Sequence, residues 1–197
     1  MKFRAIDLTL AAMFAALMAV GGNITAWIPA LVFGQVPVTL QTFFCILAGL
    51  LLGSRLGAVS MIVYTLVGLA GAPVFAGFSG GPSIIFKPTF GFILSFILAA
   101  YVAGKILEMA KKPSLPVFFL ASFAGLIVNY FVGTTFLYAA LTNWASVEGV
   151  TYLGTWKGML LFLPKDVILT AVTAVISPRI YKAVAKNRRS TSNSNAA

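Results

Sequence analysis

The chain has 197 residues, of which 60% are hydrophobic and 9% charged, against about 25% charged in an ordinary soluble domain. So few charges cannot coat a soluble protein of this size. The formal net charge of +10 does not mark a nucleic-acid binder either, because the cations fall between apolar runs instead of forming a stripe interleaved with aromatics.

Taken in chain order, apolar runs predict helices at 6–28, 38–52, 56–72, 89–107, 115–141 and 156–183. A helical crossing takes about 20 residues, so about six crossings use nearly the whole chain. The expected fold is all-α, an integral membrane protein with six transmembrane helices. One membrane domain, 1–185, is followed by a polar and disordered cytoplasmic tail, 186–197. Lys2 and Arg4 precede the first run as in a signal peptide, but no small-residue cleavage site follows and further spans do, so the first helix is read as retained. Within it Ala11, Ala15 and Ala19 recur every four residues beside a second row, Ala12 and Ala16. Small residues at this interval let helices approach closely in lipid, whether for internal packing or for docking on another subunit.

The second and third runs are short and are split by Gly53, Ser54 and Arg55, which leaves a full hairpin or a re-entrant pair. Basic loops stay on the cytoplasmic side. A full hairpin puts Arg55 and the basic residues at both ends inside, with only Lys87 and Lys157 outside and Lys165 within a helix. That asymmetry predicts a hairpin with both termini cytoplasmic. The outer loops, 34–39 and 75–88, are rich in Gly and Pro yet apolar, and suit folding back over a cavity.

Cys45 stands alone in an apolar run, which rules out an internal disulfide and a paired-cysteine metal site and reads as a small buried hydrophobe. Asp166 is the one acidic residue inside a predicted span, a costly placement that implies an interior position with a partner or a function. Lys165 precedes it, but neighbouring helical residues point about 100° apart and need not pair. Asn129 and Tyr130 in the fifth run, with Gln41 and Thr42 in the second, add polar points suited to a largely apolar pocket. The chain has no His, four acidic residues, no Walker loop and no His-Glu-x-x-His segment. Gly77-Phe78-Ser79-Gly80-Gly81 lacks a base partner for nucleophilic chemistry. Neither an ATPase nor another enzyme is expected.

The stretch Val36-Pro37-Val38-Thr39-Leu40-Gln41-Thr42-Phe43, then Leu47-Ala48-Gly49 and Leu52-Gly53-Ser54-Arg55-Leu56-Gly57, resembles the BioY family, the biotin-specific S components of energy-coupling factor transporters. Further points of likeness are Tyr64, Gly68, Gly71, Pro73-Val74-Phe75-Ala76, Gly80-Gly81, Pro88-Thr89, Gly91-Phe92, and Tyr130 with Gly133 and Leu137. The resemblance covers nearly the whole chain except its tail. It implies the S-component fold, an outward-facing biotin pocket capped by the first two outer loops, and no cofactor. It also implies a bacterial cytoplasmic membrane location, a transmembrane coupling protein as partner and two cytoplasmic ATPases.

The reading of the residues and the resemblance together give the expected ligand residues as Gln41, Thr42, Phe75, Ser79, Gly81, Lys87, Asn129, Tyr130, Lys165 and Asp166, and the resemblance favours docking for Ala11, Ala15 and Ala19. Three positions depart from the family pattern: Leu169 where a Lys follows the acidic residue, Lys87 where Gly is usual, and Lys165 where a small residue is common. Asp166 then suits the ureido group of biotin, and either Lys87 or Lys165 its carboxylate. The expected function is capture of external biotin without chemical conversion. A self-sufficient ion-coupled carrier and an intramembrane enzyme are the alternatives.

Overall fold

The computed structural model describes residues 5–27, 32–33, 36–37, 39–145 and 147–194, with side chains for 5–24, 39–145 and 147–183. Seven helices are seen among the described residues: α1 (Ala5–Trp27), α2 (Gln41–Leu52), α3 (Ser54–Leu69), α4 (Phe90–Met109), α5 (Leu115–Asn143), α6 (Tyr152–Met159) and α7 (Leu163–Ser194). Between α1 and α2 two short strands, β1 (Val32–Phe33) and β2 (Val36–Pro37), pair antiparallel. Gly34, Gln35 and Val38 of the first outer loop lie outside the described residues.

α1, α4 and α5 each contain a stretch long and apolar enough to cross a membrane, and α6 with α7 makes a fourth span broken by a 57° bend. This break is where the sixth expected run, 156–183, differs from the structure. The apolar sequence is continuous through Leu160-Leu161-Phe162, but Pro164 is the second residue of α7. Proline fits the first turn of a helix, where its missing N–H is not needed, and cannot extend the helix before it. Asp166 therefore sits in the first turn of α7 and not in mid-span. α7 continues as helix to Ser194, through most of the polar segment that begins at Lys186.

α2 and α3 have only 12 and 16 residues. At 1.5 Å per residue they span about 18 and 24 Å, short of a hydrocarbon core of about 30 Å. They nevertheless run between opposite ends of the bundle. The Ser54 N–H and Oγ donate to Glu108 Oε1 and Oε2, both at 2.7 Å, at the C-terminal end of α4. At the other end the Gly81 N–H donates to Gly68 O at 2.7 Å, beside the start of α4. This is the hairpin expected from the charge pattern, not a re-entrant loop held at one end.

Ten of the twelve residues of α2 are buried, in contact with α1, α3, α4, α5 and α7. Such crowding requires backbones to touch. A Cβ at Gly49 would run into the Ala100 carbonyl of α4, and one at Gly57 of α3 would lie 2.9 Å from Gly49 Cα. A Cβ at Gly104 would strike the Ser54 amide and the Gly49 carbonyl oxygen. Cys45 completes the seam as a fully buried thiol that donates to Phe96 O at 3.1 Å.

The small-residue rows of α1 are resolved by rotation. Ala11 is 3% exposed, and Ala15 and Ala19 pack against the same core, so this row serves internal packing. The outward face is instead Leu8, Ala12, Ala16 and Val20, all exposed. Four-residue spacing is common to both rows, and nothing in the sequence fixes which of them points inward.

The Gly49 contact makes a direct prediction. Gly49→Ala overfills a backbone crossing, a change that costs about 1–3 kcal/mol, and the purified protein should melt at lower temperature by intrinsic fluorescence. Gly158→Ala, on a helix face where an added Cβ meets nothing, should not. Equal melting of the two variants would show that the crossing tolerates a side chain.

Candidate ligand-binding cavity

A cavity of about 230 Å³ lies at the loop end of the bundle, where α2, α4, α5 and the α6–α7 bend meet the connection between α3 and α4. Nine of the ten ligand residues expected from sequence line it: Gln41, Thr42, Phe75, Ser79, Lys87, Asn129, Tyr130, Lys165 and Asp166. Gly81 does not. Its φ of 96° and its hydrogen bond to Gly68 O make it a turn residue, a conformation open to glycine and strained for others. The walls also include Phe92, Ile93, Phe96, Leu137, Met159 and Phe162. Phe92 and Leu137 are points of likeness to the family that were not assigned to the ligand, and the other four were not singled out, their signal lying only in helical spacing on α4 and in the apolar break around Pro164.

Asp166 is 5% exposed and forms the centre of the polar side. Tyr130 Oη donates to its Oδ2 at 2.7 Å, and Lys165 Nζ stands 2.8 Å from its Oδ1. Lys165 and Asp166 therefore do pair, against the expectation that adjacent helical residues need not. The bend is the reason, because at the first turn of a helix side chains splay from the chain end and a long lysine can fold back. Lys165 Nζ also donates to Thr39 O at 2.9 Å, tying α7 to the residue that leads into α2. Asp166 thus balances the Lys165 charge, and two of the three ammonium N–H donors are directed to the protein. Among the described residues Asp166 Oδ1 has no partner beyond Lys165.

Two further polar groups reach the cavity through networks. Gln41, the first residue of α2, donates from Nε2 to Tyr64 Oη at 2.6 Å, and that hydroxyl donates to Val74 O at 3.2 Å. Ser95 Oγ donates to Asn129 Oδ1 at 2.6 Å, which fixes the amide and turns its Nδ2 toward Thr42 Oγ1, a contact of 3.5 Å. Asn129 keeps donor capacity for a ligand, since an amide nitrogen carries two N–H groups. Ser95 and Tyr64 act through their partners, and sequence reasoning assigned neither role.

The loop after α3 forms the roof. Phe75 and Ser79 exchange backbone hydrogen bonds at 3.0 and 3.2 Å, and Phe75 packs edge-on against Tyr64, ring centres 5.3 Å apart. Asn23 of α1, 3% exposed, holds this loop from below. Its Nδ2 donates to Val74 O at 3.3 Å and its Oδ1 accepts from the Phe78 N–H at 2.6 Å. Phe78 has φ of 51°, a left-handed conformation that a non-glycine residue holds only against strain. Lys87 follows a 3-10 turn, Pro82–Phe86. Its side chain lines the cavity and is exposed, with no hydrogen bond or ion pair among the described residues.

The arrangement offers an apolar, aromatic trough with a buried acceptor, a directed amide donor and one uncommitted cation at its rim. A family model described as the BioY family matches residues 1–186. The putative biotin transporter BioYB of Bacillus subtilis (strain 168) is 48% identical over 185 residues, covering 94% of this chain and 92% of that protein. The biotin transporter BioY of Thermotoga maritima is 36% identical, covering 87% and 94%. Among solved structures, the S-component for biotin from an ECF-type ABC transporter superposes with a TM-score of 0.73 at 25% identity, covering 90% of this chain and 91% of that one. The chain belongs to the BioY family.

Proposed function

We propose that this chain captures biotin from outside the cell as the substrate-binding subunit of an energy-coupling factor transporter, carrying out no chemistry itself. The observation that carries the reading is the division of labour in the cavity. Asp166 Oδ1 has no protein partner beyond Lys165 and accepts from the ureido N–H groups. Asn129 Nδ2 donates to the ureido carbonyl, and the aromatic walls take the fused rings and the tail. Lys87, whose ammonium has no partner among the described residues, meets the carboxylate. Lys165 is a structural cation in this reading, since Asp166 and Thr39 O already occupy it.

The chain carries no nucleotide-binding motif, and transport energy comes from a partner module of one membrane coupling protein and two cytoplasmic ATPases. The exposed face Leu8, Ala12, Ala16 and Val20 of α1 is the surface on which the coupling protein docks, because small residues there let a second helix approach closely in lipid. The protein lies in the cytoplasmic membrane with both termini and the Arg55 turn on the inner side, as the basic residues at that end of the bundle require.

By calorimetry on folded protein, Asp166→Asn weakens biotin and biotin amide alike by about ten- to a hundredfold, the loss of a charge-assisted hydrogen bond of about 1.5–3 kcal/mol. Lys87→Ala removes the preference for biotin over its uncharged amide, whereas Lys165→Ala weakens both ligands and keeps the preference. Loss of preference in Lys165→Ala instead would move the carboxylate to that lysine. Ala16→Trp should abolish co-purification with the coupling protein while leaving biotin affinity within about twofold, and unaltered co-purification would remove the outer face of α1 from the interface. Finally, a cysteine at position 55 in a Cys45→Ala background should react with an impermeant maleimide only in inverted vesicles. Reaction in intact cells would reverse the topology.

A further inference from the structure

We infer that Trp144 is a positioning residue for ligand charge recognition, acting through the peptide bond between Phe86 and Lys87. The inference rests on the reading of Lys87 as the cation for the ligand carboxylate.

Trp144 caps the C-terminal end of α5, its N–H donating to Ala140 O at 3.2 Å. Its indole Nε1 donates to Phe86 O at 2.6 Å, across 58 residues of sequence. That carbonyl belongs to the peptide unit whose nitrogen is Lys87 N, and the Lys87 N–H donates to Ile84 O at 2.9 Å. Both ends of the unit are therefore held. On its other side, Lys87 O accepts from the Phe90 N–H at 2.9 Å, and Pro88 confines Lys87 to the extended region, observed at φ −70° and ψ 134°.

Of these restraints, the bond to Ile84 is local to the loop and the bond to Phe90 joins it to the first residue of α4, whereas the indole ties Phe86 and Lys87 across to the end of α5. The indole is itself oriented from behind. Trp144 meets Phe136 edge-on at 5.7 Å, and Phe136 meets Phe90 at 6.2 Å. Phe136 lies flush against Gly91, where a Cβ would collide with it.

The consequence is chemical. Lys87 is exposed and has no hydrogen-bond or ion-pair partner among the described residues, so its backbone is the main restraint they place on where its ammonium is found. A lysine on a loose loop spreads its charge over many positions and loses more side-chain and backbone freedom on meeting a carboxylate. Trp144 removes the backbone share of that loss in advance. A tryptophan at a membrane interface is otherwise an ordinary anchor, which would affect stability or orientation but not discriminate between a charged and an uncharged ligand.

The test compares biotin and biotin amide by calorimetry on the protein in nanodiscs, for wild type, Trp144→Phe, Lys87→Ala and the double variant. Trp144→Phe keeps an aromatic ring and deletes the N–H donor. It should reduce the preference for biotin over the amide by about two- to tenfold, the range for one net hydrogen bond, while amide affinity stays within about twofold. In the Lys87→Ala background the same substitution should have no further effect on the preference. Equal weakening of both ligands, or an unchanged preference, in Trp144→Phe would overturn the inference while Lys87→Ala still abolishes the preference. A preference that survives in Lys87→Ala would remove Lys87 as the cation, and the role of Trp144 with it.

Discussion

The fold depends on three backbones meeting without side chains between them, at Gly49 of α2, Gly57 of α3 and Ala100 and Gly104 of α4. In lipid there is no hydrophobic gain from bringing two apolar helices together, so association rests on dispersion and close fit. Glycines at the crossing supply that fit over a short length of helix, and α2 is short. With only 12 residues, it could not hold a central place by extended ridge packing. Its depth follows from the crossing, and the position of its N-terminal residues, Gln41 and Thr42, follows from its depth. Glu108 secures the lower end of the same hairpin by receiving both Ser54 donors, which fixes α3 in register with α4.

From that frame the cavity draws its residues through breaks in helices. Asp166 reaches the cavity because α7 begins anew at Leu163 after the 57° bend. Gln41 reaches it because α2 begins there, and Lys87 because α4 has not yet begun. Helix starts carry unpaired N–H groups and the positive end of the dipole, so an acidic residue in the first turn of α7 is stabilised twice, by Lys165 and by its own helix. Polar groups that would be costly in mid-membrane are thereby concentrated at one end of the bundle.

Much of this was legible. Composition and run length pointed to the membrane class, and polar residues in apolar runs together with the family resemblance pointed to nine residues that share one cavity. What sequence did not reveal were relations set by rotation and bending. Ala11 and Ala12 are equivalent in spacing, and only packing turns the first inward and the second out. Leu160-Leu161-Phe162 continues an apolar run without interruption, so the α6–α7 bend had one signal, Pro164. Asn23, Ser95 and Trp144 are unremarkable in a string of letters because each acts through a backbone or amide group more than 30 residues away. Gly81 was grouped with the ligand residues by motif, although its backbone angle explains its presence.

The charges of the cavity can be ordered by what each has already settled with the protein. Burying an ion away from water costs several kcal/mol after relaxation, and a partner recovers that only at short range. Asp166 and Lys165 met that requirement together at 2.8 Å when the chain folded, so a ligand need not neutralise either one. A neutral, strongly hydrogen-bonding group such as a cyclic urea can approach Asp166 without disturbing the pair. A ligand carboxylate approaching the pair meets the negative charge of Asp166 beside the Lys165 ammonium, which weakens its attraction to that cation. The one cation outside this pair that lines the cavity is Lys87, placed in the loop and still solvated. An anion reaching it leaves water last and only in part. In the proposed reading the two ends of an elongated ligand are sorted by these charges, with the neutral polar head at Asp166 and the anionic tail toward Lys87 at the rim.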